Sequence, residues 1–283
     1  MNDSSFYHHL AIGVAFSPNL KANLAEAVRI AIAFNARLTL IHIGVETEGK
    51  QQDIIDALPD GLTDQLKWNL IFKNGKPVET ILSVIREHKI DLILLGALKQ
   101  EGFVKFYMGS IARKITKKAS CSVLLMINPT IKETPRHHIV ANGLNSEKTE
   151  KALHTAFQVA HCLKSGLITI VDEIEERLLQ VKVEDSKTLR QSRILKQKME
   201  LREKRRVKNI VECVNPKFKE NMKVMYQSIF GKRGYSIGHY AEVARADLLV
   251  MNAPLKSSLK DRFFPHDMEY ILNELPTDVL IIR

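Results

Sequence analysis

Cysteine is scarce: the 283 residues contain three, Cys121, Cys162 and Cys213. An odd and scattered set makes a poor disulfide framework. Each has an apolar residue nearby (Val123, Leu163, Val214), so buried, reduced thiols are expected. Long apolar runs are missing too; none approaches the roughly 18 residues that a bilayer span requires. The start, MNDSSFYHHL, lacks a basic region leading into an apolar core, which argues against a signal peptide and for a cytoplasmic protein. No Cys-x-x-Cys, His-Glu-x-x-His, Gly-x-Ser-x-Gly or GxxxxGK[ST] occurs, so dithiol, zinc-protease, serine-hydrolase and P-loop chemistry have no signature here. The pairs His8-His9 and His137-His138 precede first strands. Neighbours on a strand face opposite ways and make poor joint metal ligands. No nucleophile, base and orienting group form a recognisable set, so no catalytic and no metal-binding residue is assigned.

What is present is an ordinary globular composition, 45% hydrophobic and 26% charged, in a chain long enough for two domains. The chain also repeats itself. GKPVETILSVIREHKIDLILLG, from Gly75, returns without a gap as GKRGYSIGHYAEVARADLLVMN, from Gly231, an offset of 156 that holds through Asp91 and Asp247 and through Val123 and Val279. The front halves match at smaller offsets, Ala15 with Ala141 at 126 and Leu38 with Leu167 at 129. Two homologous units follow: residues 1–130 and 138–283, joined by a linker at 131–137 and with a basic helical insertion at about 173–230 in the second.

Each unit alternates strand and helix. Leu10–Ala15, Arg37–Ile43, Trp68–Phe72, Asp91–Leu95 and Val123–Ile127 read as strands. Leu24, Ala27, Val28 and Ala31 recur on one helical face, as do Val78, Ile81, Leu82 and Ile85. Strands apolar on both faces and alternating with helices predict a doubly wound α/β architecture: two tandem Rossmann-like units, each a five-stranded, mostly parallel sheet with helices on both faces. Ligands of such sheets bind at the carboxyl ends of the strands, where LLGALKQEGFVKFYMGS leaves the fourth strand.

That segment resembles the loop of the universal stress protein family, Gly-x2-Gly-x9-Gly-[Ser/Thr], with Gly96 as the first glycine, Gly109 as the last and Ser110 as the hydroxyl. Gly102 falls where many members have another glycine, ASCSVLLM resembles the family's approach to strand five, and VAFSPN its first strand-to-helix turn. The resemblance covers nearly the whole chain as two copies. It implies a non-enzymatic stress-response protein that binds ATP or another adenine nucleotide in its first unit, with Mg2+ only as the nucleotide's companion. The site residues it implies are Gly13, Ala15, Ile43, Gly96, Lys99, Gly102, Gly109, Ser110 and Ile111. Two departures are visible: Lys99 replaces the motif's second glycine, and Ala15 replaces the acidic residue that usually ends strand one. A Cβ at Lys99 obstructs the backbone, or its ammonium neutralises a phosphate. The alternative is that Gly96 and Gly109 serve only turn and cap geometry. At the offset of 156 the second copy replaces Gly96 by Asn252, Lys99 by Leu255, Gly102 by Ser258, Gly109 by Pro265 and Ser110 by His266, so no triphosphate cradle is expected there. The resemblance further implies an intrachain pseudo-dimer through Val123–Ile127 and Val279–Ile282, with a homodimer of chains beyond it.

The formal net charge of +10 concentrates in residues 181–210, a gly- and pro-free stretch that predicts a long helix. Lys204, Arg205, Arg206 and Lys208 are its candidate contacts for nucleic acid, an acidic regulatory partner or anionic lipid; the alternative is a solvated face. Beyond it, Phe218, Met222, Met225 and Ile229 recur at helical spacing and predict a helix with a packed stripe. The remaining functional alternative is a weak nucleotide hydrolase.

Overall fold

The computed structural model describes residues 7–61, 63–99, 106–179, 182, 184–232, 234–253 and 266–283. The chain divides into two compact units, Met1–Arg136 with Leu272–Arg283, and His137–Ile271. The first contains β1 (His9–Val14), α1 (Leu20–Ala33), β2 (Arg37–Ile43), α2 (Glu48–Ile55), β3 (Trp68–Lys73), α3 (Pro77–Glu87), β4 (Leu92–Gly96), a two-residue hairpin of β5 (Leu98–Lys99) and β6 (Phe106–Tyr107), α4 (Ser110–Lys118) and β7 (Ser122–Met126). The second contains β8 (His138–Asn142), α5 (Thr149–Cys162), β9 (Leu167–Glu175), α6 (Ser186–Glu212), β10 (Lys223–Gly231), α7 (Tyr235–Val243) and β11 (Leu248–Asn252); α8 (His266–Asn273) and β12 (Asp278–Ile282) follow. The repeat assigns 138–283 to one domain, whereas contacts place β12 with the first unit.

Within the first unit the strand order is β12-β7-β4-β1-β2-β3, parallel except for β12, which runs antiparallel to β7 with Leu280 opposite Leu124. Within the second it is β10-β9-β8-β11, all parallel. The order reverses at β1 and at β8, the switch points at which α/β sheets open a crevice. The helices form as their patterns dictate. Leu24, Ala27, Val28 and Ala31 of α1 are all buried against the sheet. Pro77 opens α3 at a position where its missing N–H costs nothing, and Asp185 and Thr188 close a reciprocal capping box on α6.

The duplication is written most clearly at the amino edge of each sheet. In the first unit the His9 ring lies 2.9 Å from the carbonyl of His88 and 2.8 Å from the Thr39 hydroxyl, while Asp91 accepts from the His9 N–H. In the second, His138 approaches the carbonyl of Ala244 and the Thr169 hydroxyl, and Asp247 accepts from the His138 N–H. Residues that end helices in the left-handed region recur as well, Asn35 with Lys164 and Lys89 with Arg245. These pairs correct the front-half alignment: first strands are 129 residues apart and second strands 130, not 126 and 129. Apolar strand residues slide past one another with little penalty in a sequence comparison, whereas a buried His–Thr bond admits one register. His9 and His138 are thus sheet fasteners, and burial followed by the nearby Arg37 holds the His9 pKa below its ordinary value.

One predicted element is wrong. Residues 223–231 form β10, not a helix, and pair in parallel with β9 from Lys223↔Leu167 onward. Val224, Tyr226 and Ser228 alternate inward with Lys223, Met225 and Gln227 outward, and that period of two, rich in β-formers, outweighs the spacing of Phe218, Met222, Met225 and Ile229. Phe218 lies in a short turn before it. Of the cysteines, Cys121 is buried and burial pushes its thiol up to about 12; Cys162 is half-buried, and Cys213 is exposed, contrary to expectation.

Candidate functional site at the carboxyl edge of the first sheet

β4, β1 and β2 are consecutive in the sheet, so their carboxyl ends at Gly96, Val14 and Ile43 line up along one edge. At Gly96 a Cβ would stand 3.1 Å from Asn23 Oδ1 and 3.2 Å from its Nδ2, so any larger residue asks that amide to give way. The Asn23 Oδ1 is itself buried without a hydrogen-bond partner. Gly13 is different, because a Cβ at that position would meet only ordinary contacts, 3.7 Å from Leu95 and 4.0 Å from Ile81. Ala15 is exposed and Ile43 half-buried.

β5 and β6, between Gly96 and Gly109, pair antiparallel, and Gly109, the N-cap of α4, has no side chain with which to cap the helix. Gly109 has φ of −58°, so no left-handed geometry demands glycine there. Ser110 and Ile111, the first residues of α4, are exposed. Among the described residues the helix thus starts without a side-chain cap, with the positive end of its dipole at the carboxyl edge. Lys99 pairs with Phe106 in the hairpin; its side chain, and Gly102 altogether, lie outside the described residues. Sequence reasoning passed over His42, which sits beside Val14 at this edge with Nδ1 3.1 Å from the Val14 carbonyl. Its only signal was a polar residue near the end of RLTLIHI, among the apolar Leu40, Ile41 and Ile43.

The corresponding edge of the second unit is filled by its own side chains. By the corrected registers, Gly13, Ile43 and Gly96 become Asn142, Glu173 and Asn252. Asn142 accepts from the Leu144 N–H at 2.9 Å. Buried Glu173 accepts from the N–H groups of Gly234 and Ile237, 2.9 and 2.8 Å away, and so occupies the N-terminus of α7. Asn252 donates toward Ser146. Arg206, reaching in from α6, donates to Asp172 Oδ1 at 2.8 Å, to Glu203 Oε2 at 2.8 Å and to the Gly143 carbonyl. Burial pushes the Asp172 carboxyl up to about 7 against the pull of Arg206.

Arg206 is therefore corrected from a partner contact to an internal ion-pair residue. A contiguous basic run in sequence says nothing of which cation faces inward, and on α6 the inward face is Ser192, Met199, Glu203, Val207 and Val211. Lys204, Arg205 and Lys208 do remain exposed, Lys208 with its ammonium 5.8 Å from the Tyr226 ring. Pro265, Leu255 and Ser258 lie outside the described residues, as does the His266 side chain. Among the described residues no group of three or more His, Cys, Asp or Glu is placed to hold a metal, and no helix is long and apolar enough to cross a membrane.

The first unit is thus a doubly wound α/β fold with a helix N-terminus on a glycine-bounded loop at its carboxyl edge. Residues 6–126 match the family model for the universal stress protein family. A universal stress protein of Methanocaldococcus jannaschii is 24% identical over 147 residues, covering 45% of this chain and 86% of the relative. Over the full length, a universal stress protein from Archaeoglobus fulgidus superposes with a TM-score of 0.66 at 14% identity, covering 97% of this chain and 98% of that one. A functionally unknown protein from Pseudomonas aeruginosa PAO1 gives 0.68 at 15%, covering 98% and 92%. At such identities the structural likeness speaks for the fold, here shared by both repeats.

Proposed function

We propose that this protein is a binding and regulatory member of its stress-response family, and that its first unit takes an adenine nucleotide at the carboxyl edge of β4, β1 and β2. The observation that carries the reading is the start of α4: uncapped, glycine-preceded, with the Ser110 hydroxyl exposed beside it. Phosphate oxygens would accept from those N–H groups and from Ser110, and Mg2+ would enter only with the phosphates. The second unit's edge, already satisfied by Arg206, Glu173 and Asn142, holds no triphosphate in this reading. Nothing in the proposal calls for turnover; a slow hydrolase, the competing reading, predicts ATP cleavage that Ser110→Ala removes. Likewise β12, the fifth strand of the second repeat, covers β7 as a partner chain's strand would, which leaves a homodimer to use other surfaces.

Isothermal titration of the folded protein with ATP, ADP and AMP in the presence of Mg2+ is expected to show saturable heat from at least one. Ser110→Ala should weaken it several-fold, about the worth of one hydrogen bond to a charged group. Absence of heat from all three would overturn the reading.

A second reading rests on α6. Its outward face carries Lys187, Arg190, Lys198, Lys204, Arg205 and Lys208 around exposed Ile194 and Leu201, one heptad apart, with no acidic residue between Lys187 and Lys208 on that face. Projecting aliphatics among cations fit an acidic protein partner better than a phosphate backbone. Association with such a partner should weaken steeply with salt and be lost in Lys204→Glu with Arg205→Glu, whereas the fold, which uses Arg206 instead, should be unmoved. Association that ignores both substitutions would remove the reading.

A further inference from the structure

β10 closes one edge of the second unit's sheet: among the described residues it pairs with β9 and with no other strand. It runs from Lys223 to Gly231 in unbroken parallel register. The Lys223 N–H donates to the Gly166 carbonyl, so Lys223, Met225, Gln227, Ile229 and Gly231 turn their backbone groups toward β9. The N–H and C=O groups of Val224, Tyr226, Ser228 and Phe230 therefore point away from the sheet. One of those carbonyls, that of Ser228, accepts from the neighbouring Gln227 side-chain amide at 2.9 Å.

Such an edge is a template for another strand, and proteins ordinarily blunt it with charge, proline or a bulge. Residues 224–231, VMYQSIFG, hold no charge and no proline, and their register with β9 contains no bulge. Met225 is 40% exposed on this strand. The strand is also its own complement. Laid antiparallel on a second β10 about Gln227, it sets Val224 against Phe230 and Tyr226 against Ser228 as the hydrogen-bonded pairs, so every outward N–H and C=O finds a partner. Met225 meets Ile229 in the closer, non-hydrogen-bonded pairs, which covers the exposed thioether. The strand's single charge, Lys223, faces Gly231. Tyr226 and Phe230 stay on the side of α6, whose Lys208 and Lys196 lie over their rings.

The first unit's edge strand β3 does not offer this. The Leu38 N–H donates to the Lys67 carbonyl, which leaves Trp68, Leu70 and Phe72 outward. Pairing about Leu70 would set Lys67 against Lys73 at both ends, a like-charge opposition that the exposed Lys73–Glu87 pair does little to relieve.

We infer that β10 is the docking edge for a second copy of this chain, joined strand to strand about a twofold axis at Gln227. The inference goes beyond the nucleotide and α6 readings and needs neither. The fifth-strand edge β7, already covered by β12, plays no part in it.

Gln227 is exposed and lies on the axis, so a charge placed there meets its own copy. Light scattering after size exclusion, over a concentration series, is expected to show the wild type as a dimer in the micromolar range. Gln227→Lys and Gln227→Glu should each weaken association about tenfold or more. An equimolar mixture of the two variant chains should restore it, which a damaged fold could not do. Tyr226 adjoins the axis, so the Lys208 ammoniums of the two copies approach one another. Salt should therefore tighten the dimer, the opposite of the response expected of an acidic partner on α6. A wild type that stays monomeric at about 1 mM overturns the inference and leaves the edge to a strand of another protein. A dimer unmoved by Gln227→Lys, or two monomeric variants whose mixture stays monomeric, overturns it as well and puts the contact elsewhere.

Discussion

Removing Asp278–Arg283 is expected to convert the first unit into an aggregating species. Val279, Leu280, Ile281 and Ile282 of β12 are each at most 3% exposed. At about 1.5–3 kcal/mol for each fully buried aliphatic side chain, their loss forfeits roughly 6–12 kcal/mol, comparable with the roughly 5–15 kcal/mol that holds an entire domain together. The deletion also bares the edge of β7, whose residues Ser122–Met126 are all buried, and an apolar strand with unpaired N–H and C=O groups is a template for other chains. Polar ties go with it. Asp278 accepts from the Ile127 N–H and from Arg136, both at 2.9 Å, and Arg136 in turn reaches the buried Glu26. The Arg283 guanidinium donates to the carbonyls of Thr116 and Lys117, at 2.7 and 2.9 Å, and so closes the last turn of α4. A milder variant, Asp278→Ala, keeps the apolar strand but strands Arg136 and the Ile127 amide; it should cost about 3–5 kcal/mol in urea unfolding. Light scattering after size exclusion checks the deletion. A deletion variant that elutes unaggregated and melts as the wild type does would show that β12 contributes little to the first unit.

How much of this was legible beforehand divides along a physical line. Burial patterns that depend on period alone were readable: β2 spans Arg37–Ile43 as expected, and the buried stripes of α1 and α3 fall on the expected residues. What escaped notice depends on long-range partners. Residues 218–229 satisfy a helical spacing, and only their alternating burial beside β9 reveals a strand. In the run REKRR, residues 202–206, nothing marks Arg206 off from Lys204 and Arg205; the distinction comes from Asp172, Glu203 and the Gly143 carbonyl, which lie 34, 3 and 63 residues away in sequence. Glycines of the candidate site were legible as positions but not as causes: Gly96 lies against Asn23, a residue of α1, whereas Gly13 within β1 has only ordinary contacts. His42 was passed over for the same reason, since its contacts, the Val14 carbonyl and the Phe16 ring, lie across the sheet edge.

Arg206→Ala is expected to cost the second unit about 3–5 kcal/mol, the usual consequence of removing one partner from a buried ion-pair network. Asp172 and Glu203, with side chains 6% and 10% exposed, would face each other with only the largely exposed Arg202 left to neutralise them, and the Gly143 carbonyl would lose its donor. The loss should depend on pH, and its sign follows from Asp172. Its carboxyl titrates at about 7 in the fold against 3.8 in the open chain, because burial outweighs the attraction of Arg206. Between those values the folded state holds the proton more tightly than the unfolded state, so stability falls as pH rises from about 4 to about 7. Without the guanidinium the carboxyl rises further and that descent continues to higher pH. Urea midpoints at about pH 5 and about pH 8 should therefore diverge more for Arg206→Ala than for the wild type, with the larger loss at the higher pH. Combining it with Asp172→Asn should remove most of the pH dependence, because the burden then lies in an ionised carboxylate rather than in a vacated volume. A cost under about 1 kcal/mol, or a loss equal at both pH values, would place Arg206 among the solvated cations of α6 after all.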